Sequence, residues 1–185
     1  MPSDPYERIV VDGKVLDALT LGAIKRAEAI LGRKIPIVQG SYNAGGVAAS
    51  AGTHDFGGVF DTIAGGHDDA VKALRAVGFA AWYRPTLPGV WSAHCHAVLI
   101  GHGRLAPAAA RQVQAYLARR DGLVSNAIDS DPGWTNTARY TVQAFHADVE
   151  RGKLDAREAK KLGKVKTLWK QIKAIRKRRK FLAKR

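Results

Sequence analysis

Short apolar stretches punctuated by turn residues run along the first 140 positions, and their period switches between strand-like and helical. Tyr6 to Val11 and Lys14 to Leu16 flank an Asp12-Gly13 pair, which predicts a tight hairpin. From about Asp17 to Leu31, Leu19, Ile24, Ala27, Ile30 and Leu31 recur at helical spacing and Gly32 supplies a stop. Ile35 to Gln39 is a strand candidate, followed by a Gly, Ser and Ala stretch from Gly40 to Thr53 that fits neither period. Such a loop in a small domain is usually functional. Val59 to Ile63 predicts a strand, Asp69 to Val77 a helix closed by Gly78, and Phe79 to Tyr83 and His94 to Ile100 two further strands around a Pro and Gly turn region, Pro85 to Gly89. Pro107 to Arg120 predicts a helix with Gly122 beyond its end, and Ser125 to Thr137 a polar loop. The fold class is therefore α+β.

The last fifty residues follow a different rule. Leu154, Leu162, Val165, Leu168, Trp169, Ile172 and Ile175 fall on one helical stripe, and lysines and arginines fill the rest. A helix beginning near Arg139 would run through Phe145 and Val149, with Gly152 and Gly163 as weak points. Two parts are expected: a globular domain over 1–137 and a strongly basic helical tail over 138–185.

Charge sharpens that division. The chain carries a net charge of +14, but residues 151–185 hold 16 of the 30 Lys and Arg and two of the 16 acids, Asp155 and Glu158, so the whole excess lies there. Residues 1–150 are formally neutral, so any attraction to an anionic polymer or an acidic membrane surface belongs to the tail. A nucleic-acid-binding protein would spread basic residues over its body as well, which counts against that class. No apolar run approaches the roughly 18 residues that span a bilayer. Met1 to Lys14 lacks the pattern of a secretory signal, and the single Cys95 rules out an internal disulfide.

Two segments carry candidate chemistry. In an extended His94-Cys95-His96, the two imidazoles point the same way and Cys95 points to the other face, as a small buried hydrophobe. Paired strand histidines serve as hydrogen-bonding surface residues as well as ligands, so this segment alone leaves both roles open. In Thr53-His54-Asp55-Phe56-Gly57-Gly58-Val59-Phe60-Asp61, a His in a Gly-rich loop precedes an Asp inside an apolar strand, where an unpaired carboxylate is costly to bury. A plain turn with Asp61 accepting backbone hydrogen bonds explains that segment equally well. Together the two segments offer His, Asp and His, a three-ligand set that leaves a fourth zinc position open, the arrangement of a catalytic rather than a structural site.

The pattern His54-x-x-Gly57-x-Val59-x-Asp61 followed by His94-x-His96 resembles the zinc DD-peptidases that share a fold with the Hedgehog signalling domain, over roughly Ile35 to Ala108. That resemblance implies a small antiparallel sheet with flanking helices, Zn2+ held by His54, Asp61 and His96, and cleavage of peptide bonds in bacterial peptidoglycan stems or cross-links. Gln39 and Tyr42, in the segment leading to the site, become substrate-binding candidates. The residues after Ile100 are similar to lysin-like proteins of actinobacteria and their phages, which implies an endolysin or virion-associated lysin, made in a host cytoplasm and released to the wall or carried on a particle.

The departures from the family pattern are specific. Gly52 replaces the usual Ser, Val59 the usual Ala, and Asn43 an Arg often found after the Tyr, which favours an endopeptidase over a carboxypeptidase. Ala93 stands where many relatives carry an acidic base, and no Asp or Glu occurs between Asp69 and Asp121. The resemblance then makes His94 the candidate for proton transfer or oxyanion stabilisation, with a purely orienting role as the alternative. The missing acid also sustains a second reading, a zinc-fold structural or wall-binding virion protein without turnover. His67, His102 and His146 have no partner pattern and are expected at the surface. Trp82, Trp91 and Tyr83 are expected either to line a groove or to serve as core and rim aromatics.

Overall fold

Asp12 and Gly13 both take positive φ, 51° and 71°, and fold β1 (Arg8–Val11) back onto β2 (Lys14–Asp17) as an antiparallel hairpin. Asp17 ends β2 and caps α1 (Ala18–Leu31), its carboxylate accepting from Thr20 N at 2.8 Å and Thr20 Oγ1 at 2.7 Å. Gly32, at φ 66°, closes the helix. The computed structural model describes residues 2–182, with side chains to Lys177. It divides into two compact units, Met1–His146 and Ala147–Arg185.

The first unit is built on a four-stranded antiparallel sheet of β3 (Ile37–Gln39), β4 (Val59–Ile63), β5 (Phe79–Arg84) and β6 (His94–Leu99), in the order β3-β4-β6-β5. Four of the five β4 residues and five of the six in β6 are buried, because both faces are covered. On one face Phe60 meets Phe79 edge-on at 5.4 Å, and α2 (His67–Val77) packs on β5 and β6 with α1 against it. On the other, Val59, Ala80, Trp82 and Val98 join Ala109, Val113 and Tyr116 of α3 (Pro107–Leu117) in one apolar cluster. Strand alternation puts Asp61, His94 and His96 on this second face.

Several element boundaries differ from the sequence expectation. α2 starts at His67 rather than Asp69, and α3 ends at Leu117 rather than Arg120. The chain leaves the α3 axis through Arg119, at φ 59°, because the next carbonyls have buried donors to satisfy: Arg120 O accepts from Trp82 Nε1 at 3.1 Å and Asp121 O from Arg84 Nη2 at 2.6 Å. Gly122 therefore lies in the loop and does not close the helix. That loop is held by Arg75, which is buried and donates to Asp129 Oδ2 at 2.6 Å, Asp131 O at 2.7 Å and Ala81 O at 2.8 Å.

α4 (Val142–Leu182) starts at Thr141, whose hydroxyl accepts from Ala144 N at 3.1 Å. It runs unbroken through Gly152 and Gly163, contrary to their reading as weak points. An interior glycine costs about 1 kcal/mol relative to alanine, too little to interrupt a run rich in Ala, Leu, Lys and Arg. Within Ala147–Arg185, the seven stripe residues from Leu154 to Ile175 are all exposed, each at 40% or more.

Candidate metal centre

The loop from Gly40 to Gly58 returns to its start, so that its two ends run side by side. Tyr42 N donates to Phe56 O at 3.2 Å and Asn43 N to His54 O at 2.9 Å. Ser41 Oγ fastens this pair to β4 through Val59 O at 2.6 Å. Gly57 is required by the closeness of its neighbours: a Cβ there would lie 2.6 Å from His102 Cε1 and 2.7 Å from Tyr42 Oη. His54 is thereby held with Nδ1 donating to Gly40 O at 2.8 Å, which leaves Nε2 pointing at Asp61 Oδ1, 3.4 Å away.

β4 and β6 supply the rest. Asp61 pairs with His96 in the register, and His96 Nδ1 lies 2.7 Å from Asp61 Oδ1. His54, Asp61 and His96 are all buried, and their ligand atoms fall within 4.8 Å of one another. This group can hold a metal ion: two imidazole nitrogens and one carboxylate oxygen converge, and each histidine has its other nitrogen occupied by a protein group. For His96 that group is Gln112 of α3, whose Oε1 lies 2.8 Å from Nε2. Trp82 stacks beneath His96 with ring centroids 6.1 Å apart and planes 19° from parallel.

The electrostatics favour the metal-binding forms of Asp61 and His96. Burial alone would raise the Asp61 carboxyl, but its close contacts with the His54 and His96 rings outweigh it and hold the group well below the ordinary carboxylate range. Burial pushes His96 down against the pull of Asp61, favouring the neutral imidazole.

His94 lies beside this group rather than in it. Its Nδ1 donates to Ser92 O at 2.7 Å, and its Nε2 is 3.9 Å from Asp61 Oδ2. Trp91 meets its ring edge-on at 6.3 Å. Cys95 points to the opposite face, fully buried, with burial pushing its thiol up to about 12. Gln39 pairs with Asp61 in the register and donates from Nε2 to Ser50 Oγ at 2.7 Å. Tyr42 sits behind the loop, its hydroxyl donating to Asp17 Oδ2 at 3.2 Å and its ring under Arg8. Burial, reinforced by Asp17, raises the Tyr42 hydroxyl to about 12.

His102 is not a surface residue. It is 5% exposed and its Nε2 lies 3.1 Å from Asp17 Oδ2, within the hydrogen-bonded group that backs Gly57 and Gly58. A His following Gly101 gives no periodic signal for this, since its partner is 85 positions away. His67 is partly buried and stacks on Tyr83 at 3.8 Å, while His146 is exposed. Tyr83 thus lies away from the site, Trp82 is a core aromatic beneath it, and Trp91 stands at its rim.

Gln112 and Arg84 escaped the sequence reading, because neither belongs to a motif and both reach the site through tertiary packing. Beside Gln112 a cleft of about 540 Å³ is lined by Ala51, Thr53, Ala108, Arg111 and Leu123 among others. It adjoins the metal group at both ends of its lining, Thr53 next to His54 and Gln112 on His96. Comparison with known protein families, with curated proteins and with solved structures returns no match for this chain.

Proposed function

We propose that this chain is a zinc peptidase acting on the peptide stems or cross-links of bacterial peptidoglycan, in the manner of an endolysin or a virion-associated lysin. The convergence of His54 Nε2, Asp61 Oδ1 and His96 Nδ1 in a buried group carries the reading. Two nitrogens and one oxygen suit zinc and leave one coordination position for the reaction, as catalytic zinc sites do. A zinc ion held by these three residues would supply Lewis-acid activation of water and of the scissile carbonyl. His94 Nε2, close to Asp61 without being part of the ligand group, is placed to take up a proton and return it to the leaving amine. Gln112 fixes the tautomer of His96, Trp82 closes the floor of the site to water, and the cleft beside Gln112 receives the peptide.

The basic tail is the anchoring part of this reading. Among the described residues no helix is long and apolar enough to cross a membrane. Residues 151–185, of net charge +14 and with an exposed apolar stripe, instead suit attachment to anionic wall polymer or lipid headgroups.

Metal analysis of the purified chain is expected to find one zinc, which His54→Ala, Asp61→Ala and His96→Ala each remove. Digestion of purified peptidoglycan, followed by mass analysis of the muropeptides, is expected to show cleaved stem or cross-link bonds. His94→Ala should keep the metal and lose about 10²- to 10⁴-fold in rate. No zinc, or zinc retained in all three ligand variants, defeats the site assignment. Bound zinc without hydrolysis replaces the peptidase with the wall-binding, non-catalytic protein that the missing acid at Ala93 also suits.

A further inference from the structure

Two arginines are buried in the first unit, and the fold treats them differently. Arg75 has a complete set of protein acceptors, including the Asp129 carboxylate. Arg84 is 5% exposed, yet among the described residues it forms no ion pair; its one hydrogen bond runs from Nη2 to the Asp121 carbonyl at 2.6 Å. Nε and Nη1 have no protein acceptor. Among the described residues no fully buried side-chain nitrogen or oxygen lacks a partner, so these two donors face space that solvent can reach. Burial brings this guanidinium down to about 10, and the carboxylates of Asp121, Asp129 and Asp61, none of them at ion-pair distance, oppose that shift only in part.

The position of Arg84 is as informative as its lack of a partner. On β5 and β6 the register pairs Trp82 with His96 and Arg84 with His94, so all four lie on the sheet face that carries Asp61. The Arg84 guanidinium lies 4.8 Å above the Trp82 ring, and Trp82 in turn stacks on His96. The guanidinium is thus held over Trp82, on the sheet face that carries the metal group, with two donors uncommitted.

We propose that Arg84 is the anion-binding residue of this site and takes the carboxylate of a peptide substrate next to the bond that is cut. A planar guanidinium held by stacking is pre-organised for a carboxylate, and such charge-assisted bonds are stronger than neutral ones. This rests on the peptidase reading for the peptide and on Arg84 alone for the carboxylate. Stem peptides that carry a free carboxyl beside the scissile bond are then preferred over amidated ones.

The test uses the full chain, metal-free and zinc-loaded, titrated by NMR with N-acetyl-D-alanine and with its amide. The acid is expected to bind at least about 10-fold more tightly than the amide in wild type. Arg84→Gln should lower affinity for the acid by about 10-fold or more, leave the amide unchanged, and keep a cooperative melt; Arg84→Lys should recover part of the acid binding. Equal binding of acid and amide by the wild type, which needs no variant, overturns the proposal. So does unchanged acid binding in folded Arg84→Gln, which would make Arg84 only a strut for the 118–131 loop. A fall in kcat of the same factor for free-acid and amidated peptides also overturns it, in favour of oxyanion stabilisation. A chain that takes up no zinc but still separates acid from amide refutes the metal reading and supports this one.

Discussion

At the scale of single residues, the candidate site depends on groups that orient ligands as much as on the ligands. Gln112 reaches His96 from a separate element and occupies the nitrogen that does not face Asp61. A neutral acceptor there holds the proton on Nε2 and frees Nδ1 for a metal. Gln112→Leu is therefore expected to weaken zinc binding by about 10- to 100-fold without unfolding the chain, while Gln112→Glu, which keeps the acceptor, should retain it. Competition with a chromophoric chelator reads both, and unchanged affinity in Gln112→Leu would leave Gln112 without a role at the site.

Among the elements, the junction of β2 and α1 has the largest consequence for the site. Asp17 is fully buried, caps α1, and also accepts from Tyr42, His102 and Gly58 N. One carboxylate thus links the helix start to the loop that carries His54. Burial would raise it, but the His102 hydrogen bond and charge, with the Thr20 bonds, bring it below its ordinary 3.8. A carboxyl depressed in the folded state adds stability that is complete above the unfolded value of 3.8 and is lost as pH falls through the lower folded value. Asp17→Asn is expected to cost on the order of 1–3 kcal/mol near neutral pH, with the gap to wild type narrowing below about pH 4. Urea unfolding across pH 7 to 2.5 measures it, and a gap that widens in acid contradicts the assignment.

For the whole molecule, charge is divided as sharply as the compact units are. The neutral first 150 residues carry the candidate chemistry, and residues 151–185 carry the net +14 together with an exposed apolar stripe. Truncation at Val149 is expected to weaken binding to isolated walls at low ionic strength, with the deficit shrinking over a few tenths molar salt as screening shortens to about 3–8 Å. Hydrolysis of a small soluble muropeptide should be unchanged. A truncated chain that fails to fold, or a deficit indifferent to salt, shows that the tail is part of the fold or a partner interface.

The sequence by itself determined those features whose cause is local. The Asp12-Gly13 turn, the Gly32 and Gly78 helix ends, the alternation in β4 and β6 and the tail stripe all follow from backbone preference or side-chain period, and each appears where the sequence places it. His54, Asp61 and His96 were legible as a set only in combination, because the order and spacing of the two segments resemble a zinc-peptidase pattern that neither segment shows alone. Tertiary structure alone decided the rest. His102 was read as a surface residue because nothing near it in sequence marks its pairing with Asp17, 85 positions away. The end of α3 was misplaced because Trp82 and Arg84, on another element, draw the carbonyls of Arg120 and Asp121 off the helix axis. Gln112 and the unpaired Arg84 are ordinary residues in sequence, and their meaning comes from what packing sets beside them. Local preference acts over a few residues, whereas the burial of a polar group and the identity of its partner are properties of the folded chain.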